Sequence, residues 1–179
     1  MRKTTSLSCT CRKTRLRVEG KPIVGMECCC NSCRDGAQRM EALEGAPTTL
    51  TKYGTAPYIL VRKDRVTVID GAENLAEFRL KPHSKTRRVF ATCCNTPMFA
   101  DFEGGHWLTV FAQLWPEAER PVIEMRSMVI DMPTGTVLPD DIPNAQKYNP
   151  RIFAKLMRAW AAMLFRRPKG PVAHKKVDL

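Results

Sequence analysis

The apolar positions of the first 111 residues fall in short runs closed by turn residues, with few helical periods among them. The runs predict strands over Cys11–Val18, Ile23–Cys28, Tyr58–Val61, Val66–Ile69, Ala76–Leu80, Arg87–Ala91, Met98–Asp101 and Trp107–Phe111. Between them lie Glu19-Gly20-Lys21-Pro22, Asp70-Gly71, Lys81-Pro82 and Glu103-Gly104-Gly105, all turn formers. Many short strands at this spacing predict a mainly β, mostly antiparallel domain. One or two helical turns are expected after Cys33, through Ala37, Met40 and Leu43, until Gly45 and Pro47 stop them.

Residues 112–148 carry prolines at 116, 121, 133, 139 and 143, with a strand or short helix expected around Val122–Ile130. The period turns helical at Asn149-Pro150, an N-cap followed by proline at the first helical position. Ile152, Phe153, Leu156, Met157, Trp160, Met163 and Leu164 share one face, and Arg151, Lys155 and Arg158 the other. The expected organisation is a β domain over 1–111, a Pro-rich extension packed on it over 112–148, an amphipathic helix over 149–166 and a basic disordered tail over 167–179. That helix suits docking on the β core or on another subunit, and alternatively an anionic membrane surface.

Charge changes the picture at the two ends. The chain carries 29 Lys plus Arg against 18 Asp plus Glu, yet residues 21–138 are neutral. Residues 1–20 hold a net +5 and residues 139–179 a net +6. Arg12, Lys13, Arg15 and Arg17, with Leu16 and Val18 between them, read as the solvated face of a strand. Contact with an anionic surface or nucleic acid is the alternative. No apolar run approaches the ~18 residues needed to span a bilayer, and no apolar core follows Met1–Ser6, so neither a transmembrane segment nor a secretory leader is expected. A reducing cytoplasm is the expected compartment. There, closely spaced thiols more often serve as metal ligands or catalytic groups than as disulfides.

Eight cysteines occur in three groups, Cys9/Cys11, Cys28-Cys29-Cys30 with Cys33, and Cys93-Cys94. A C-x-x-C turn brings two thiolates to one tetrahedral ion, and C-x-C on an extended segment puts two sulfurs on one side. Two zinc sites can be assembled. Cys9 and Cys11 join the Cys93-Cys94 segment, while Cys28, Cys30 and Cys33 form a three-ligand site with room for water or a thiol, as in catalytic zinc. His83 and His106 are candidates to complete the second, and Cys29 points away from it. Two purely structural ions, a redox switch at the vicinal cysteines and an iron–sulfur cluster are the competing readings.

The ordered set Cys9-x-Cys11, Cys28-x-Cys30-x-x-Cys33-Arg34, Asp70-Gly71 with Leu75, Phe78 and Arg79, and Arg88-x-Phe90 running into Cys94-x-Thr96-Pro97-Met98-Phe99 resembles the glutathione-dependent formaldehyde-activating enzyme and centromere protein V family. The resemblance spans roughly residues 7–111. It implies a β-tent of small antiparallel sheets around zinc, with Cys9, Cys11 and Cys94 on structural ligands and Cys28, Cys30 and Cys33 on a second, catalytic zinc. It further implies carbon–sulfur lyase chemistry on the adduct of a small thiol such as glutathione with formaldehyde or another small aldehyde. Arg34, beside the second site, would anchor a carboxylate of the thiol. The family's Phe-Cys-x-x-Cys-Gly stands here as Phe90-Ala91-Thr92-Cys93-Cys94-Asn95. Three outcomes follow: Cys93 supplies the missing ligand through a tight turn over Thr92–Asn95, the first site has three ligands, or Cys93 turns to the other metal. The competing function is a non-catalytic, zinc-stabilised binding module whose basic ends contact an anionic partner.

Overall fold

The computed structural model of the chain describes residues 3–179. The protein is mainly β, as expected, with a C-terminal helix. Three strands, β1 (Thr4–Ser8), β2 (Arg15–Glu19) and β5 (Val66–Asp70), form a small antiparallel sheet in the order β1-β2-β5. The larger sheet contains β3 (Val24–Cys28), β4 (Ala56–Arg62), β6 (Leu75–Phe78), β7 (Thr86–Ala91), β8 (Thr96–Phe102), β9 (Trp107–Phe111), β10 (Ile123–Ser127) and β11 (Lys175–Lys176). Its order is β10-β3-β4-β9-β8-β7-β6-β11, antiparallel throughout its middle and parallel at both ends. Beside the expected small antiparallel sheet, the fold thus has this larger mixed sheet of eight strands.

Period-two burial explains the small sheet. Along β1 and β2, Thr5, Leu7, Leu16 and Val18 point inward while Arg15 and Arg17 face water, which is the solvated-face reading of those arginines. Ion pairs from Arg15 to Asp70 and Arg17 to Glu19 occupy them further. Strand β3 is buried at every position because β10 and β4 flank it. Ile59, Val61, Phe78, Phe99, Leu108 and Phe111 meet in the core.

Strands β1 and β11 were not expected. β1 shows only two inward positions, one of them Thr5, too weak an apolar signal to read. The Val122–Ile130 segment resolves as β10, ended by Met128 in a left-handed conformation at φ 60°. Buried Arg126 fixes the Pro-rich extension that follows. Its guanidinium donates to Glu27 at 2.8 Å, to Asp141 at 2.8 Å and to the Pro139 carbonyl at 3.0 Å.

Helix α1 (Asn31–Glu41) follows β3, and helix α2 (Pro150–Ala161) begins at the expected N-cap, where the Asn149 side chain accepts from the Arg151 amide. α2 is shorter than 149–166, because Leu164 and Phe165 take positive φ and stand exposed. Phe153 too is solvated, so only part of the expected apolar face docks. The contact is made by His106 in the β8–β9 connection. Its Nε2 donates to the Leu156 carbonyl at 2.8 Å, and its ring stacks on Trp160 with centroids 5.5 Å apart. The expected disordered tail instead runs along the open edge of β6. There the His174 and Val177 amides donate to the Leu75 and Glu77 carbonyls at 2.9 Å each, and Arg87 holds the Pro171 carbonyl at 2.6 Å.

Burial, aided by the charges of Lys63, Arg167 and Arg62, lowers the pKa of His106 from its ordinary 6.5. The unfolded chain therefore takes up a proton near pH 6.5 that the folded chain refuses, so this contribution to stability is full above pH 6.5 and declines as the pH falls below it. Urea unfolding at pH 7.5 and 5.5 is expected to show a wild-type advantage over His106→Gln at the higher pH that shrinks at the lower. An advantage that grows on acidification would contradict a neutral, buried imidazole.

Candidate metal centres

The chain from β1 to β2 makes a tight knuckle. The Arg12 amide donates to the Cys9 carbonyl at 2.9 Å, Cys9 N–H to the Thr14 carbonyl at 3.0 Å, and Arg12 sits at φ 63°. Strand β2 therefore starts at Arg15 rather than Cys11, because residues 9–12 turn the two sulfurs toward one point. A second turn joins β7 to β8. Its Cys94 amide donates to the Ala91 carbonyl at 3.3 Å, and Asn95 lies in the left-handed region at φ 50°. The Asn95 side chain also donates to the Glu44 carbonyl at 2.9 Å.

These two turns face each other and bring Cys9, Cys11, Cys93 and Cys94 together, all sulfurs within 4.8 Å of one another. Separations are 3.6 Å for Cys9–Cys11, 3.7 Å for Cys9–Cys93, 3.4 Å for Cys11–Cys93 and 3.9 Å for Cys93–Cys94. Four sulfurs bound tetrahedrally at ~2.3 Å from one ion would lie about 3.8 Å apart. They are far from the roughly 2 Å of a disulfide, and all eight cysteines are free thiols. The turn over Thr92–Asn95 aims both vicinal sulfurs at one cluster, which is the geometry that the first of the three possibilities at Ala91 requires. Ala91 itself is fully buried at the end of β7.

Neighbouring donors tune this cluster. The Thr14 amide donates to Cys9 Sγ at 3.3 Å, and Thr96 Oγ1 lies 3.0 Å from Cys94 Sγ. Desolvation opposes ionisation of Cys94, but the Thr96 hydroxyl and the Cys11 amide outweigh it and bring its pKa down to about 6. Burial drives Cys93 up to about 12 and raises Cys9 as well.

The second cluster joins a strand end to a helix start. Cys28 closes β3, Cys30 is the N-cap of α1 and Cys33 lies in its first turn. Cys28 and Cys30 sulfurs are 3.4 Å apart, and the Cys33 amide donates to Cys30 Sγ at 3.3 Å. Cys30 takes the first negative charge: hydrogen bonds from Cys28 and Cys33, then the Cys33 amide, lower its pKa to about 3. Cys28 is raised, chiefly through its bond to Cys30. A bond from Cys28 lowers Cys33, but the Cys30 thiolate and burial win and raise it to about 12. Without a cation, then, one thiolate forms and the other two thiols resist. A divalent ion removes that resistance, and three soft sulfurs at this spacing suit one.

Cys29 is fully buried, belongs to neither cluster, and has its amide bonded to the Ser127 carbonyl at 2.9 Å. Neither candidate histidine joins a cluster among the described residues. His106 is committed to α2, while His83 lines a cleft of about 610 Å³ together with Asn31, Ser32, Asp35 and Lys81. Arg34 donates from Nε to the Gly54 carbonyl at 3.2 Å and from Nη1 to the Asp131 carbonyl at 3.1 Å. It staples two loops around the cluster, leaving Nη2 as its spare donor nitrogen for a carboxylate. Arg88, which is buried, reaches the same first turn through Ser32. Arg88 entered the sequence reading only as a motif letter, since no pattern marks which arginine is buried.

No protein-family model matches the chain, and no curated protein matches it in sequence. Among solved structures, a Rhodobacter sphaeroides protein from a structural genomics programme is similar at 16% identity, over 78% of this chain and 99% of that one, with a TM-score of 0.45. No helix among the described residues is long and apolar enough to cross a membrane.

Replacing Cys93 by Ser is expected to remove one of two bound metal ions and to lower the thermal midpoint by about 10 °C or more. Cys29→Ala is expected to keep both ions. Metal content by mass spectrometry with thermal melts checks this, and a Cys93→Ser protein retaining two ions would exclude Cys93 as a ligand.

Proposed function

We propose that the chain is a zinc protein whose four-thiol cluster is structural and whose Cys28/Cys30/Cys33 cluster is a reaction site for carbon–sulfur bond chemistry. The observation that carries this reading is the asymmetry of the two clusters. Four thiols complete a tetrahedron at the first, whereas the second offers three and leaves one position for an incoming ligand. The residues fit the ion in both places by donor type and spacing. In the sequence motifs this arrangement resembles glutathione-dependent formaldehyde-activating enzymes.

When bound, zinc supplies Lewis acidity that favours the thiolate form of a thiol in the fourth position. Cys28, Cys30 and Cys33 would hold it, and the backbone of β3 and α1 fixes their positions. The cleft of about 610 Å³ beside Asn31 and Ser32 gives a tripeptide-sized thiol room along the start of the helix that carries Cys33, with Lys81 and His83 as donors for its carboxylates. Arg34 keeps the loops at Gly54 and Asp131 closed around the cluster. In the reaction the thiol sulfur bonds to the aldehyde carbon as the carbonyl π bond opens, and the thiol proton ends on the former carbonyl oxygen. The lyase direction reverses those steps. Holding both partners at one point is the chain's main contribution to rate.

Cys30→Ser is expected to lose one metal ion and at least ~100-fold of the rate at which glutathione and formaldehyde exchange with their adduct. Magnetisation-exchange NMR measures that rate, and circular dichroism is expected to show an intact fold. Full activity after loss of the ion would refute the assignment.

A second reading has its own observation. A cleft of about 390 Å³ is lined by Lys63, Arg79, Lys85, Arg87, Arg167 and Lys169. Asp101 and Glu77 neutralise Lys63 and Arg87, which leaves four cations toward solvent against Glu103 for an anionic partner such as nucleic acid. In that case retention on DNA or heparin must fall steeply between ~50 and ~200 mM salt. Absence of retention at the lower salt would remove this reading.

A further inference from the structure

Among the described residues three cations are less than one-tenth exposed, Lys63, Arg88 and Arg126. Two of them meet carboxylates. Lys63 lies 2.6 Å from Asp101, and Arg126 lies 2.8 Å from both Glu27 and Asp141. Arg88, 3% exposed, pairs with no carboxylate. Its Nη2 donates to the Ser32 carbonyl at 2.8 Å and to Ser32 Oγ at 2.7 Å, while Nη1 is buried with no partner. A buried, uncompensated charge is strongly unfavourable, so a counter-charge is required near it.

The position of Ser32 indicates where that charge resides. Ser32 stands between Cys30 and Cys33 in the first turn of α1, so the guanidinium is held against the loop that carries the three thiols. The helix is also built around it: a Cβ at Gly36 would lie 2.0 Å from Arg88 Nε. Glycine is a poor helix former, and here its lack of a side chain is what admits the arginine.

We propose that Arg88 is the buried counter-charge of the Cys28/Cys30/Cys33 centre. A divalent ion on three thiolates carries a net charge of minus one, and Arg88 brings the assembly to neutrality while the fourth position holds a neutral ligand. Arg88 is thus a positioning and charge-balancing residue that keeps all three sulfurs ionised and ion-bound. The inference rests on the reading that this cluster holds a divalent metal.

Arg88→Gln removes the charge but keeps a donor for Ser32, and Arg88→Lys keeps the charge but loses the fork. Zinc affinity at each cluster, read by competition with a chromophoric chelator, is expected to fall about 10- to 100-fold at the three-cysteine cluster in Arg88→Gln. It is expected to stay within about threefold in Arg88→Lys, with the four-cysteine cluster unchanged in both as internal reference. Wild-type affinity in Arg88→Gln would overturn the proposal, and so would equal losses in both variants, which would assign the effect to the Ser32 bonds. Should Arg88→Gln fail to fold, Arg88→Lys alone decides: retention supports the proposal and a tenfold or larger loss overturns it. A wild-type chain with one ion, lost on Cys94→Ser, would instead defeat the underlying metal reading, and this inference with it.

Discussion

Convergence of four sulfurs from two hairpins is the constraint on which the arrangement of the two sheets depends. The β1–β2 hairpin belongs to the small sheet and the β7–β8 hairpin to the large one. Cys9 and Cys11 come from the first, Cys93 and Cys94 from the second. The small sheet presents only a few inward side chains, Leu7, Leu16 and Val18 among them, so apolar burial alone ties it weakly to the rest. An ion held by these four thiols would add an apparent binding energy of roughly 10–16 kcal/mol to the folded state. The left-handed residues Arg12 and Asn95, each strained for a side-chain-bearing residue, occur at the two turns that aim the sulfurs. Local strain and global cohesion are therefore found at the same place.

The same element chemistry gives a different result at the end of β3. There the three thiols come from consecutive segments of one strand and one helix, so the cluster links nothing distant. Around it the Cys33 amide donates to Cys30 Sγ, and the Arg88 guanidinium donates to Ser32 between Cys30 and Cys33. The two clusters differ in where their thiols originate: the first joins separate sheets, the second a single local loop.

The C-terminal third completes the large sheet rather than forming a separate layer. Arg126 gathers Glu27, Asp141 and the Pro139 carbonyl, so a proline-rich segment poor in amide donors is held through its acceptors. The parallel edge strands β10 and β11 cover the two sides that the antiparallel core leaves open, and α2 is fixed through His106.

Short apolar runs and turn formers were enough to place eight of the large and small sheets' strands near their observed positions, since each strand's burial alternates or saturates locally. The Asn149-Pro150 cap and the C-x-C and C-x-x-C spacings were likewise legible, because capping and ligand reach act within a few residues. Strand β1 and the tail strand β11 were not, for β1 carries only two inward positions and β11 pairs with a strand 99 residues away. Cys93 shows the boundary most clearly. On a straight strand it would face away from Cys94, and only the turn between β7 and β8, held by Asn74, Glu44 and the opposing knuckle, brings both sulfurs to one point. Arg88 is the same case in electrostatics. Its type and position are written in the chain, but whether a guanidinium is solvated or sealed beside three thiols depends on which surfaces close over it. Periodicity and spacing are local quantities, whereas burial and charge pairing exist only once distant segments have packed.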